Sequence, residues 1–472
     1  MIKLLIILLN TFFVFFTGKP LTGEPALSPR AQEQRAKWHI PTDELDYPVN
    51  PQYIDSLRHM GITIHHTSRW FNGATCEMTE QKAAQVAQLD FVTEVEMTRD
   101  DSPSRYVPKR KKLQAAPKNG WEDTWTSNQL ALYNLTPLHE AGFEGQGILM
   151  TVCDGGFTKA NTLHCFRQDQ ELGHYDFTDD ADGFYGWTGV HGTECLSVIS
   201  GIQNGFYGAA TQADYYLMRA EEDATESPKE MDNLVAALEK SDSLGVNIFS
   251  VSLGYAMFDN YNWDLDKNTE LDGQSTRVSQ AATIAARKGM LVVVAAGNEG
   301  DDSWRTISAP ADADSILTVG AVTVDSIIGG FSSYGPSSDG RIKPEVCAVG
   351  VQATLIYPDG NIVTSNGTSF ATPLLAGMAA TLWSALPDEN AMQIRERIIR
   401  SADRYTNPDA DYHYGYGIPN AWLAYTMERP EGIECIQNAE FGIQKILRNG
   451  QIVIIRNGTE YTIDGKTRTL VH

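Results

Sequence analysis

Cysteine is scarce: six in 472 residues, at positions 76, 153, 165, 195, 347 and 435, with no CxxC pair. That excludes a disulfide-stapled scaffold and gives no zinc-ligand spacing. Free buried thiols are the expectation, with a Cys165–Cys195 bridge left open. Long apolar runs are missing as well. The one membrane-like stretch, residues 4–16 (LLIILLNTFFVFF), is too short for a spanning helix. Basic charge is in deficit, with Lys+Arg 37 against Asp+Glu 60 and a net charge of -23. Such a surface repels phosphate backbones, so nucleic acid is not the expected partner. A nucleotide-binding reading fails too. The glycine-rich Gly142–Gly147 comes before a strand rather than after it. No long repeat or low-complexity tract is present. Hydrophobic residues at 42% and charged residues at 21% describe an ordinary globular chain.

Length allows several domains. Residues 4–16 behind Lys3 read as the apolar core of a signal peptide over 1–18, so the mature protein is expected to be exported, to the periplasm or the cell exterior. Residues 19–47 read as a loosely held leader. Residues 48–112 read as a small α+β domain with its linker. Its elements are a helix around Ile54, Leu57 and Met60, a strand from Gly61, a helix over 79–89 behind a Thr cap, and a strand over 92–97. Four consecutive cations, Lys109–Lys112, mark an exposed linker where a processing cut would fall.

From 120 to 426, apolar runs at 147–153, 213–218, 246–252, 290–296 and 315–322 alternate with amphipathic helices such as 229–243 and 276–289. Strands buried on both faces and separated by helices predict a parallel sheet in an α/β domain, with ligands at the carboxyl ends of the strands. The tail, 430–472, reads as a β meander with Asn449-Gly450 and Asn457-Gly458 turns.

Four residues stand where chemistry is done. Asp154 ends a buried strand before two glycines, and His191 opens an apolar helix in His191-Gly192-Thr193. Ser369 begins another helix in Gly367-Thr368-Ser369-Phe370-Ala371-Thr372-Pro373, where first-turn N–H groups favour a developing oxyanion. Asn298 lies in a glycine-rich turn after a strand. Each alone reads as a turn, cap or structural residue.

Taken in the order Asp, His, Ser, these motifs resemble the subtilisin-like serine peptidases over about 120–426. Phe331–Pro336 and Lys343-Pro344-Glu345 are further family-like stretches. The resemblance implies a three-layer α/β domain with a mainly parallel sheet, preceded by a ferredoxin-like propeptide and followed by the short β tail. It implies Ser369 as nucleophile, His191 as general base, Asp154 as its orienting partner and Asn298 as an oxyanion donor. Ser252, Leu253 and Gly254 would bind substrate backbone as an added strand. The implied partners are polypeptide substrates and the chain's own propeptide, which would template folding and then plug the cleft. No cofactor is implied. A structural Ca²⁺ is left open, and the acidic cluster Asp176, Asp179, Asp180 and Asp182 lacks EF-hand spacing. Glu299 beside Asn298 would favour basic substrate side chains. The competing reading is a catalytically silent protein of the same fold used for binding; the intact set of four residues argues against it.

Overall fold

A computed structural model describes residues 9–21, 23–99, 116–117, 126–178, 183–187, 189–222, 226–258, 264–406 and 411–430, and the backbone of four tail strands within 444–468. Residues 1–431 form one compact unit and 432–472 a second.

The chain opens with β1 (Asn10–Phe16), α1 (Pro29–Lys37), α2 (Pro51–His59), β2 (Thr63–Ser68), β3 (Gly73–Met78), α3 (Glu80–Val86) and β4 (Val92–Arg99). The four strands form an antiparallel sheet in the order β2-β3-β1-β4. With α1 set aside, this is the βαββαβ order of a ferredoxin-like domain. Phe12, Val14 and Phe16 pack with Ile54 and Leu57 of α2 and with Ala83 and Val86 of α3. On the opposite face the Arg277 guanidinium lies 4.4 Å from the Phe13 ring centroid.

Within the apolar run 4–16, expected to form the core of a signal peptide, Asn10–Phe16 is an inner strand of the sheet. A strand covered on both faces has the same unbroken hydropathy as a leader's apolar core. The propeptide-like domain therefore starts at β1 rather than at residue 48. Burial on both faces also hid β3, whose Gly-Ala-Thr-Cys-Glu-Met shows no alternation. Residues 19–47 are not loosely held either: they carry α1 and the buried Arg35 and Asp46.

The larger domain is built on β5 (Leu149–Asp154), β6 (Glu171–Asp176), α4 (Val190–Ser200), β7 (Asp214–Arg219), α5 (Pro228–Leu244), β8 (Ile248–Val251), α6 (Arg277–Arg287), β9 (Leu291–Ala295), β10 (Leu317–Val322) and β11 (Val346–Val349). The hairpin β12 (Ala353–Ile356) and β13 (Ile362–Ser365) leads into α7 (Thr368–Ala385). Seven parallel strands lie in the order β11-β10-β9-β8-β5-β7-β6. The five strands expected from sequence are all present. The additions sit at the rims: β11, and β6, whose exposed alternate residues mark an edge. Chain direction across the sheet reverses at β5, which has β8 on one side and β7 on the other. That switch point opens a crevice at the carboxyl ends of β5 and β8.

Among the described residues Cys165 and Cys195 are separate free thiols, so the bridge left open above is not formed. In the tail, Gln444–Arg448 pairs antiparallel with Gln451–Arg456, which pairs antiparallel with Thr459–Thr462; the expected Asn449-Gly450 and Asn457-Gly458 turns lie outside the described residues. No helix among the described residues is long and apolar enough to cross a membrane.

Candidate active site

Asp154 is the last residue of β5 and is buried, its Oδ1 accepting the Gly155 N–H at 2.8 Å. His191 is the second residue of α4, and its Nδ1 lies 2.8 and 3.0 Å from the two Asp154 oxygens. Gly192 makes this approach possible: a Cβ there would collide with the Gly156 carbonyl and come within 2.9 Å of Asp154 Cβ. Burial alone would lower the His191 pKa, but the Asp154 carboxylate outweighs it and raises the group well above its ordinary value. The Asp154 carboxylate therefore stabilises positive charge on the ring. Arg219, buried at the end of β7, donates from Nε to the Gly155 carbonyl at 2.9 Å and steadies the turn after Asp154.

Ser369 is the second residue of α7, so its amide is among the first-turn N–H groups without an intrahelical acceptor. Its hydroxyl donates to the Ser252 carbonyl at 3.4 Å. Pro373 sits in the second turn of α7. It has no N–H for the carbonyl four residues back, which belongs to Ser369. That carbonyl instead accepts Ser252 Oγ at 2.8 Å and Cys195 Sγ at 3.3 Å. The proline thus ties the serine helix to β8 and to the histidine helix. Burial raises the Cys195 pKa, which keeps the thiol neutral. Asp154, His191 and Cys195 place possible ligand atoms within 4.8 Å of one another, yet the imidazole and the thiol are already engaged with Asp154 and Ser369.

Asn298 follows β9 on an exposed turn. Its Oδ1 accepts both the Thr368 N–H at 2.9 Å and the Thr368 hydroxyl at 3.0 Å. The backbone donor fixes which end of the amide is oxygen and leaves Nδ2 as the end free to donate away from Thr368. The turn requires glycine at 297, where φ is +111° and a Cβ would fall 2.6 Å from Glu299 Oε2. Glu299 is buried, accepting the Asn298 N–H at 2.9 Å and the Ser333 hydroxyl at 3.2 Å. It braces the turn, which corrects its reading as a selector of basic side chains.

Ser252, Leu253 and Gly254 leave the carboxyl end of β8. The Leu253 side chain turns into the core, so this segment offers its backbone. Beside it, Tyr255 and Ala309 exchange backbone hydrogen bonds of 2.8 and 2.9 Å. A Cβ on Gly254 would collide with the Ser308 hydroxyl, which is buried with no hydrogen-bond partner among the described residues. Sequence reasoning missed the positioning roles of Thr368 and Arg219. Thr368 had a signal, its place beside Ser369, but nothing in the sequence brings it to Asn298. Of the acidic cluster, Asp176 is engaged with Thr178 and Arg219. Asp179, Asp180 and Asp182 lie outside the described residues, as do Lys109–Lys112.

The family model described as the subtilase family (peptidase S8) matches residues 145–417. A model of the peptidase S8 propeptide domain of Bacteroidota matches residues 11–115, starting within β1. Subtilisin DY of Bacillus licheniformis is 28% identical over 287 residues, covering 60% of this chain and 92% of its own. Subtilisin Savinase of Lederbergia lenta is 28% identical over 288 residues, covering 61% of this chain and 93% of its own. The crystal structure of MycP1 from Mycobacterium smegmatis superposes with a TM-score of 0.56 at 23% identity, covering 72% of this chain and 94% of that one. The family match spans more than half of the chain, across the sheet that carries Asp154, Asn298 and the helices of His191 and Ser369. The chain therefore belongs to the subtilase family of serine endopeptidases and carries that family's propeptide domain at its N-terminal side.

Proposed function

We propose that the protein is an exported endopeptidase that cuts itself free of its propeptide and then hydrolyses polypeptides through Ser369, His191 and Asp154. The observation that carries this reading is the 2.8 Å Asp154–His191 contact beside a serine at the start of α7. The Ser369 hydroxyl turns from the Ser252 carbonyl to His191 Nε2. As its oxygen bonds to the substrate carbonyl carbon, its proton passes to the imidazole. Asp154 holds the ring through Nδ1 and stabilises the imidazolium. Asn298 Nδ2 and the Ser369 N–H donate to the carbonyl oxygen as it becomes an oxyanion. His191 returns the proton to the departing amine. A water then repeats the sequence on the acyl-enzyme and restores the Ser369 hydroxyl. Ser252–Gly254 aligns the substrate by backbone pairing. No organic cofactor takes part.

Labelling with a fluorophosphonate tests the nucleophile: wild type should label and Ser369→Ala should not. N-terminal sequencing tests processing. Wild type should begin between about Pro108 and Asn128, while Ser369→Ala keeps residues 48–100 attached. A Ser369→Ala protein processed like wild type in a protease-free mixture would refute self-cleavage.

A further inference from the structure

The domain before the linker grips the peptidase domain in two places. One is its sheet, which lies on α5 and α6. Thr75 Oγ1 donates to Asp232 at 3.1 Å and His66 Nε2 meets Asn233 Oδ1 at 2.9 Å. The other is residues 19–47, inserted between β1 and α2. We propose that this insertion is a strap that keeps the propeptide bound once the linker has been cut, so that the propeptide becomes a lasting subunit of the enzyme rather than a discarded plug. The proposal rests on the processed-zymogen reading above.

Where the strap binds is the first argument. The Ser28 N–H donates to the Ser243 carbonyl at 2.8 Å. Arg30 reaches the Gly245 carbonyl at 3.1 Å and Asn247 Oδ1 at 2.8 Å. Lys37 donates to the Pro387 carbonyl at 2.6 Å. Gly245, with φ +75°, admits the strap, since a Cβ would lie 2.7 Å from Ala31 N. Gly289 likewise faces Ile40, 2.7 Å from where a Cβ would be. These positions directly precede β8 and β9. The far ends of the same strands lead to Ser252 and Asn298. Four or five strand residues at ~3.3 Å each separate the strap from the crevice. The strap therefore holds the peptidase domain without covering the residues that do chemistry.

What it binds is the second argument. Arg35 lies between Asp46 at 3.0 Å and Asp242 at 2.7 Å. Arg69 meets Asp242 at 2.7 Å, and Lys288 meets Asp43 at 2.7 Å and Asp46 at 2.9 Å. Asp46 is fully buried, and Arg35, Arg69, Asp242 and Lys288 are each below a tenth exposed. Charges so enclosed are little screened by salt. Trp70 completes the contact, standing in the peptidase core with Leu238 and Val246. Losing the propeptide would open that core.

The test uses the Ser369→Ala chain with a recognition sequence for a specific endopeptidase inserted after Arg110, cut by adding that enzyme. The two fragments should co-elute in equimolar amounts on gel filtration, in low and in high salt. Free elution of the N-terminal fragment would overturn the proposal. Arg35→Ala and the rim pair Arg30→Ala/Lys37→Ala should fold with the linker intact, and after cutting should release the fragment at least about tenfold faster. Arg58→Ala, which removes an exposed pair with Asp55, should release at the wild-type rate. Release from the strap variants no faster than from Arg58→Ala would show that the strap is not the anchor. Because an added enzyme makes the cut, a failure of self-processing in wild type leaves this result untouched, and early release here leaves the zymogen reading standing.

Discussion

The two ends of the parallel sheet solve opposite problems. At the amino ends of β8 and β9, the buried charges share opposite partners: Asp46 has Arg35 and Lys288, and Asp242 has Arg35 and Arg69. At the carboxyl ends, the Ser369 hydroxyl has a long 3.4 Å bond and Asn298 keeps its donors for the crevice. A network with every partner in place is rigid, whereas groups left with spare capacity can bind and react. The contrast also shows how one domain can be clamped at one pole and open at the other.

The comparison breaks most completely at the catalytic pole. Ser369→Ala or His191→Ala should lower kcat by on the order of 10⁶-fold, with the double variant little worse. Peptide hydrolysis by active-site-titrated enzyme measures this, and substantial residual turnover in Ser369→Ala would remove the serine from its role. At the other pole, Asp46→Ala in the Ser369→Ala background leaves Arg35 and Lys288 each short of a partner. It should cost about 3–5 kcal/mol in urea unfolding. The same change in the active chain should leave kcat of the folded enzyme unaltered, which separates the two ends. Asn298→Ala should reduce kcat by about 10²–10³ with KM nearly constant, because the amide acts on charge present only in the transition state. Thr368→Val, which removes one of the two bonds orienting that amide, should fall between Asn298→Ala and wild type.

Acid sharpens the contrast. In the proposed mechanism His191 works as the neutral imidazole, and its pKa is raised by Asp154. The acid limb of kcat/KM should therefore lie above the ordinary value of ~6.5. Burial would raise the Asp46 pKa, but Arg35 and Lys288 outweigh it and hold the carboxylate below its ordinary range. Its contribution to stability is present above ~3.9 and is lost only as pH falls through the lower folded value. On acidification, activity should disappear before the propeptide loosens; simultaneous loss would tie the two ends together. The smallest effect is expected at Cys195. Cys195→Ala removes one of two donors to the Ser369 carbonyl and should cost kcat no more than several-fold, since Ser252 remains.

Much of the peptidase domain could be read in advance because β5, β7, β8, β9 and β10 are buried on both faces and stand out as apolar runs between helices. The edge strand β6, half exposed, had no such signature. In β1 the same apolar signature gave no expectation of a strand, since a short run of Phe and Val reads alike in a leader and in an inner strand. Residues 19–47 looked loose because their polar and charged composition gives no sign that Arg35 and Asp46 meet partners some two hundred positions away.

Local chemistry in the sequence determined the order Asp154, His191, Ser369, the glycines that let backbones meet, and the helix starts that present His191 and Ser369. Each depends on neighbours a few residues apart. Only the tertiary structure decided that Thr368 aims Asn298, that Pro373 frees the Ser369 carbonyl for Ser252 and Cys195, that Glu299 braces a turn instead of facing substrate, and that a strap closes over the far pole. Those outcomes rest on hydrogen bonds and ion pairs between residues distant in the chain, and such pairings exist only once the sheet has set its strand order.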